Sequence, residues 1–259
     1  VENNNYGKFE LEPLERGFGT TLGNALRRVM LSSMPGSAIV AVKIDGVMHE
    51  FQTIEGVIED VTTIILNLKS VVLKNNTEED KVLHLHASKE GEVKAGDIET
   101  DADVEIINKD LVIATLAKGG KLDMELIVSN GRGYVPSNEN KKFIENNKIG
   151  YIPIDALYSP IERISYEVDT ARVGQDANYD KLILNVYTNG SLRPEEAIAL
   201  GAKILIEHFN VLLDLSDIAD MTGIMSAKEE DSKLKKLETP IEDLDFSVRA
   251  FNCLKRANI

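Results

Sequence analysis

Apolar and polar residues alternate near the start of the chain, and the spacing then changes to that of a helix. The alternation over residues 8–14 predicts a half-buried strand. A glycine-containing turn follows, and a helix is expected to begin at Thr20 or Thr21, because either side chain can cap it. This helix is expected to end at Ser32 or Ser33, before a Pro-Gly pair.

The first predicted helix carries apolar residues on two faces. The face expected to lie on the core consists of Leu22, Ala25, Leu26, Val29 and Met30. Leu31 lies on the opposite face, between Arg27 and Arg28. This leucine is either an isolated exposed apolar residue, which is common, or part of a protein contact, where arginine is frequent. The pattern leaves both interpretations open.

From residue 38 to about residue 159 the sequence changes to short β-rich runs separated by turn sequences. Strands are predicted at residues 38–44, 81–87, 104–107 and 121–128. Turns are predicted at Asp45-Gly46, Gly119-Gly120 and Asn130-Gly131. One helix is predicted at residues 56–68, where apolar residues recur at helical spacing. We expect this part of the chain to form a β-rich subdomain of its own.

Strand-like sequence returns after residue 159 and is followed by a second long helix. Residues 161–169 and 180–188 predict a hairpin, with residues 173–179 as its polar loop. The helix is expected to run from Pro194 to about Leu215, because a first-position proline followed by two glutamates suits a helix N-terminus.

This second helix is apolar over more of its circumference than packing on one domain requires. Its polar residues fall in one stripe, and nearly all other positions are apolar: Ala197, Ile198, Ala202, Ile204, Leu205, Ile206, Phe209, Val211, Leu212 and Leu213. Two explanations remain open at this point. The helix lies at the centre of a large domain, or it forms a dimer interface.

Composition narrows the classes of partner. The 259 residues carry a net charge of −14, so the protein is a poor general binder of nucleic acid and protein partners are favoured. The single cysteine, Cys253, excludes an internal disulfide, and residues 1–6 lack the features of a signal peptide. No apolar stretch is long enough to span a membrane. We therefore expect a cytoplasmic protein.

None of the candidate chemical sites is persuasive. Residues 17–23 read G-x-G-x-x-x-G, which departs from the dinucleotide fingerprint, and no parallel βαβ pattern follows. His84 and His86 share one face of a predicted strand, but further metal ligands are missing nearby. No general base lies near Ser32, Ser33 or Cys253. We expect no catalytic residue, no metal and no cofactor.

Long motifs carry a family resemblance. The run LEPLERGFGTTLGNALRRVMLSS at residues 11–33 closely resembles the signature of bacterial RNA polymerase α subunits. Further stretches match in the same order: IDGVMHEF at 44–51, GRGYVP at 131–136, YSPIER at 158–163, TNG at 188–190 and PEEA at 194–197. The similarity covers nearly the whole chain.

The resemblance implies an α+β fold with two subdomains. A discontinuous dimerisation subdomain, residues 1–36 and 160–217, would be interrupted by a β-rich insertion, residues 37–159. Residues 218–240 would form a linker, in keeping with their dense mixture of charges. Residues 241–259 would be the start of a C-terminal DNA-binding domain. Because the sequence stops at Ile259, we expect no DNA binding by this protein alone.

The resemblance also implies partners and their contact residues. Such a subunit forms a homodimer, each copy docks one of the large subunits β and β′, and ω and σ complete the nucleotidyltransferase. The residues implied to contact β are Arg28, Leu31 and Lys69. The segment implied to face β′ runs from Asp155 to Arg163, together with Arg172, and its contact residues would be Asp155, Arg163 and Arg172. The implied dimer interface consists of Phe18, Leu22, Leu26, Val29, Ile198, Leu205, Phe209 and Leu212. Arg249 and Asn252 would contact promoter DNA, and the C-terminal domain would also meet transcription factors.

Overall fold

The computed structural model describes residues 5–141, 150–173 and 176–213. These residues form two antiparallel sheets and three two-stranded ribbons. The α-helices among them are α1 (Phe18–Ser32), α2 (Val61–Lys69), α3 (Ser137–Asn140) and α4 (Pro194–Leu213), and one 3-10 helix spans Ala95–Asp97. The strands are β1 (Tyr6–Glu15), β2 (Pro35–Ile44), β3 (Leu73–Asn75), β4 (Lys81–Ala87), β5 (Gly91–Lys94), β6 (Ile98–Glu99), β7 (Val104–Ile106), β8 (Val112–Leu116), β9 (Leu122–Arg132), β10 (Tyr134–Val135), β11 (Ile152–Pro153), β12 (Ala156–Leu157), β13 (Ile161–Val173) and β14 (Asp176–Thr188). The protein divides into two compact units, residues 1–207 and 208–259, and only residues 208–213 of the second are described.

The first sheet joins the two ends of the first unit. Its order is β1-β14-β13, so a strand from the start of the chain pairs with a hairpin more than 160 residues later. Helix α1 packs on β13 and β14, and α4 contributes Ala197 and Ile204 to the same core. That core is closed by Leu26, Met30, Leu182 and Leu184. Burial of these apolar side chains holds the two separate segments together.

The second sheet is formed by the middle of the sequence, and its strand order is β11-β2-β9-β4-β6. Helix α2 covers one face of it with Ile64, Ile65 and Leu68. The opposite face near β2 and β9 is covered by Ala156 and Tyr158. Strand β2 is therefore buried on both faces, which explains its continuous apolar run rather than an alternating one.

The predicted α+β class is confirmed, and most predicted elements are present. The turns at Asp45-Gly46 and Gly119-Gly120 are also confirmed, with positive φ at Gly46 and Gly119. No helix among the described residues is long and apolar enough to cross a membrane.

Four local predictions were wrong. The first helix begins at Phe18 rather than at Thr20 or Thr21, because Gly17, in a left-handed conformation, is its cap residue. The helix expected at residues 56–68 begins only at Val61, because Asp60 adopts extended backbone and its carboxylate accepts from Thr63 N at 2.9 Å. Asn130-Gly131 is not a turn but part of β9, paired with Ser37 and Gly36 of β2.

The fourth error concerns the hairpin. Most of residues 173–179 belong to its strands, since Thr170 pairs with Asp180 and Ala171 with Tyr179. A backbone ladder needs no apolar side chains, so the polar composition of this segment concealed its strand structure.

Candidate functional site

The glycine-rich turn between β1 and α1 holds a carboxylate of the protein itself. Asp180 of β14 accepts hydrogen bonds from Gly17 N at 2.8 Å and from Gly19 N at 3.1 Å. Gly17 is the cap residue, with φ of 90°, and no side chain of the turn caps the helix. The position that an anion would take at this helix N-terminus is thus occupied by Asp180. This geometry argues against a nucleotide site at residues 17–23.

The glycines of α1 have a packing role. A Cβ at Gly19 would lie 2.8 Å from Val168 Cγ1, and one at Gly23 would lie 2.6 Å from Tyr166 Cδ2. Gly201 of α4 is similar, because its Cβ would lie 2.8 Å from Met30 Cγ. These glycines let α1 approach the sheet, and α4 approach α1, more closely than any other residue would allow.

The C-terminal half of α1 presents the two residues implied to contact β. Arg28 is exposed and forms no ion pair with any residue that the structure describes. Leu31 is 38% exposed although its neighbour Met30 is completely buried. The predicted division of α1 into a core face and an Arg28–Leu31 face is therefore observed.

Lys69 and Asp155 were assigned to different partners, yet they touch. Lys69 Nζ lies 2.7 Å from Asp155 Oδ2, and Ser137 N donates to Asp155 Oδ1 at 2.8 Å. The hydrogen bond from Lys69, followed by that from Ser137, holds the pKa of Asp155 below its usual range. The end of α2 and the segment before β12 therefore belong to one surface.

Arg163 and Arg172 occupy different parts of β13. The Arg163 guanidinium lies over the Tyr187 ring, 4.0 Å from its centroid, and Tyr187 stacks on Tyr6 at 4.6 Å. Arg172 is exposed nine residues further along the same strand, roughly 30 Å away at about 3.3 Å per residue. The three residues implied to face β′ do not form one cluster.

The residues implied in dimerisation divide by exposure. Phe18 is 48% exposed, and Phe209 and Leu212 are 57% and 59% exposed. Leu26 lies in the core of its own chain, at 7% exposure, so it has almost no surface to offer a second copy. The others are partly buried against that core: Leu22, Val29, Ile198 and Leu205. Ile206 and Val211 of α4 are also exposed and were missing from the predicted set.

A polar groove on the second sheet was not predicted. It has a volume of about 360 Å³ and is lined by side chains of β2, β9 and β4. Glu125 accepts from Lys43 Nζ at 2.9 Å and from Tyr151 Oη at 2.5 Å, and these two bonds lower its pKa. Burial, and then the Glu125 hydrogen bond, raise the pKa of Tyr151 to about 12. The only signal in the sequence is the alternation of polar and apolar residues along β9, which indicates one polar face. The residues that meet Glu125 come from other segments of the sequence, so the groove itself was not predictable.

The two strand histidines lie at this groove. His86 Nδ1 contacts Asp123, and His84 is paired with Glu125 in the sheet register. Within the described ranges no group of three or more histidine, cysteine or acidic side chains could hold a metal ion. Arg249 and Asn252, implied to contact DNA, lie outside the described residues.

Comparison with known proteins matches two family models to this sequence. Residues 42–159 match the RNA polymerase Rpb3/RpoA insert domain. Residues 227–259 match the C-terminal domain of the bacterial RNA polymerase alpha subunit. The first match covers four strands of the five-stranded sheet completely and the last residues of its β2 strand.

Full-length relatives extend the similarity over the whole sequence. The DNA-directed RNA polymerase subunit alpha of Symbiobacterium thermophilum is 58% identical over 259 residues, covering 100% of this chain and 82% of the relative. That of Oceanobacillus iheyensis is 56% identical over 258 residues, with the same two coverages. Identity at this level over the entire length shows the family. The chain belongs to the bacterial DNA-directed RNA polymerase α subunits.

Proposed function

We propose that this transcription subunit is the dimeric platform on which the large subunits of RNA polymerase assemble, and that it contributes no catalytic residue. The observation that carries the proposal is the second apolar face of α4, where Ile206, Phe209 and Leu212 are exposed. A helix with one buried face and a second exposed apolar face favours a protein partner. A second copy of the protein is the simplest such partner, since identical chains associate most often as two-fold dimers.

The proposed dimer surface combines exposed and partly buried residues. Phe18 in the first unit, and Phe209 and Leu212 in the second, each expose a large apolar side chain. Leu22, Val29, Ile198 and Leu205 would support it from the core side. Leu26 is a core residue of its own chain and is left out of the proposed dimer surface.

A second surface would dock a large subunit. Arg28 and Leu31 are proposed to contact β, with an arginine that lacks an ion-pair partner within the described residues. The ion pair between Lys69 and Asp155 supports a single docking surface that takes β in one copy and β′ in the other. Arg163 and Arg172 would extend the β′ contact along β13.

The remaining assignments concern the domain boundaries and the residues beyond α4. We propose residues 1–36 and 160–217 as the dimerisation subdomain, 37–159 as the insertion, 218–240 as a linker and 241–259 as the start of the DNA-binding domain. Arg249 and Asn252 would contact promoter DNA there, and regulators, ω and σ would join in the cytoplasm. The match of residues 227–259 to the C-terminal domain model supports a C-terminal domain at this end of the sequence, and it begins within the proposed linker.

The experiment that tests this proposal is binding of the purified protein to purified β. Arg28→Ala is expected to weaken binding by about 2 kcal/mol, roughly thirtyfold, because the arginine sits beside an exposed apolar residue. Arg27→Ala is the matched control, since it removes an equally exposed arginine from the adjacent helix position. Equal affinity of the two variants would refute the docking surface.

A further inference from the structure

Residues 151–158 lie along the edge of the five-stranded sheet, and we call this segment the strap. Its backbone is lightly attached, because β11 contributes two residues, Ile152 and Pro153, to the pairing with β2. Proline has no N–H group, so it donates nothing to the ladder. One further bond runs from Ile154 N to Val40 O at 2.8 Å. The side chains of the strap must therefore supply much of its attachment.

The first side-chain attachment lies in the polar groove. Tyr151 Oη donates to Glu125 Oε2 at 2.5 Å, and Lys43 Nζ donates to Glu125 Oε1 at 2.9 Å. The Lys43 ammonium also lies 5.8 Å from the centroid of the Tyr151 ring. The hydrogen bonds from Tyr151 and then Lys43 hold the pKa of Glu125 below its usual range, so a charged carboxylate accepts at neutral pH. We call this contact the groove pin.

The second attachment lies on the other side of β11. Asp155 accepts from Lys69 Nζ of α2 at 2.7 Å and from Ser137 N of α3 at 2.8 Å. Both of its carboxylate oxygens are thus used. Asp155 follows Tyr151 by four residues, a distance of roughly 13 Å in extended chain at about 3.3 Å per residue. Two charged contacts therefore fix the strap at two separate points.

Buried side chains link the two attachments. Every second residue of the strap is buried: Ile152, Ile154, Ala156 and Tyr158. The carbonyl of Ile154 also accepts from Asn140 Nδ2 at 2.6 Å. Alternate residues of extended chain point to one side, so these four side chains enter the protein side by side. Because protein cores are close-packed, one of them cannot leave its place without disturbing the next.

We infer that the strap opens and closes as one unit, so that a change at the groove pin is transmitted to the Lys69–Asp155 pair. Coupling between two sites requires an element with two arrangements whose equilibrium both sites bias. The strap is such an element, because it carries Tyr151 at one end and Asp155 further along. The polar groove thereby becomes a remote control of the surface to which Asp155 belongs.

The coupling can be measured in this protein alone. Its use in docking rests on the proposed function, because Asp155 belongs to the proposed docking surface. The opening of the strap does not rest on it, since no large subunit takes part. Binding of β by Arg28→Ala and opening of the strap are therefore decided by separate measurements.

The test is amide hydrogen exchange of the full chain at neutral pH, which reports local opening. Tyr151→Phe removes the hydroxyl of the groove pin and keeps the ring. Exchange of Ile154 N and Tyr158 N is expected to become roughly fivefold faster, the effect of one lost hydrogen bond. Tyr158 N, which donates to Gly133 O at 2.9 Å, is the decisive amide because it lies beyond Asp155.

Two references accompany this variant. Tyr166→Phe is the matched control, because Tyr166 is a partly buried tyrosine of β13 whose hydroxyl forms no hydrogen bond with any residue that the structure describes. It is expected to leave exchange in the strap unchanged. The amide of Leu184 in the other core is the internal reference, and its exchange is expected to stay constant in both variants.

Asp155→Asn provides the reciprocal measurement, because coupling between two sites acts equally in both directions. It weakens the second attachment, and exchange in β11, on the side of the groove pin, is expected to become faster. If Tyr151→Phe does not fold, Lys43→Gln loosens the same pin from β2 and is expected to give the same pattern with a smaller change.

The pattern of exchange decides the inference. Faster exchange at both Ile154 and Tyr158, with Leu184 unchanged, supports a strap that opens as one unit. Faster exchange at Ile154 with Tyr158 unchanged would show two independent attachments and overturn it. An equal increase at Leu184 would show global destabilisation, which also overturns it. Unchanged exchange throughout the strap would show that Tyr151 does not hold it.

Discussion

At the scale of single residues, Asp180 shows how one carboxylate shapes the N-terminus of α1. It accepts from two backbone N–H groups that the helix itself cannot satisfy. We expect Asp180→Ala to lower the free energy of unfolding by about 1 kcal/mol, the typical effect of losing a helix cap. Urea denaturation of the purified protein measures this change.

The control is Glu167→Ala, which removes the same charge from an exposed position on the neighbouring strand β13. It is expected to change the free energy of unfolding by less than about 0.5 kcal/mol. If the two variants were equally stable, the capping role of Asp180 would be refuted.

At the scale of elements, the contact of α1 with its sheet depends on glycine. Alanine at an exposed helix position normally stabilises by about 1 kcal/mol relative to glycine. A Cβ at Gly23 would instead press on Tyr166 at 2.6 Å and on Leu182 at 2.9 Å. We therefore expect Gly23→Ala to destabilise the protein by about 1 kcal/mol or more, the usual cost of overpacking.

Asn24→Ala provides the comparison, because Asn24 is the next residue on the same helix and is exposed. Its replacement by a better helix former should stabilise slightly, by a few tenths of a kcal/mol. The melting temperatures of both variants, measured by thermal unfolding, test these two expectations. A higher melting temperature for Gly23→Ala would show that the helix does not need this close approach.

The elements also show which structural features could be predicted from the sequence. The faces of α1 and α4 were predictable, because helical periodicity is local. Three contacts were not predictable: the cap formed by Asp180, the ion pair of Lys69 with Asp155, and the hydrogen bonds of Glu125 with Lys43 and Tyr151. Each depends on the register between strands or segments far apart in the sequence, which a single sequence does not specify. The start of α2 was predicted too early for the opposite reason. Apolar residues at helical spacing extend into the loop before the helix, and the loop ends only at Asp60, the cap residue.

At the scale of the whole molecule, the first unit builds two hydrophobic cores from separate segments of the sequence. The three-stranded sheet with α1 and α4 closes one core, and the five-stranded sheet with α2 closes another. Exposed apolar side chains remain on α4 and on the β10–β12 ribbon. Two such surfaces are what the proposed platform needs to pair with its own copy and still bind a larger partner.

The proposed dimer gives the last prediction. Phe209→Ser combined with Leu212→Ser removes two large exposed apolar side chains from α4, each worth about 1.5–3 kcal/mol when buried. The dissociation constant of the dimer is therefore expected to rise at least a hundredfold, and sedimentation equilibrium measures it. The control variant, Lys203→Ala with Glu207→Ala, alters the polar stripe of the same helix, whose exposed ion pair at 3.9 Å contributes little. If both variants sediment as the unaltered protein does, the exposed face of α4 is not where two copies meet.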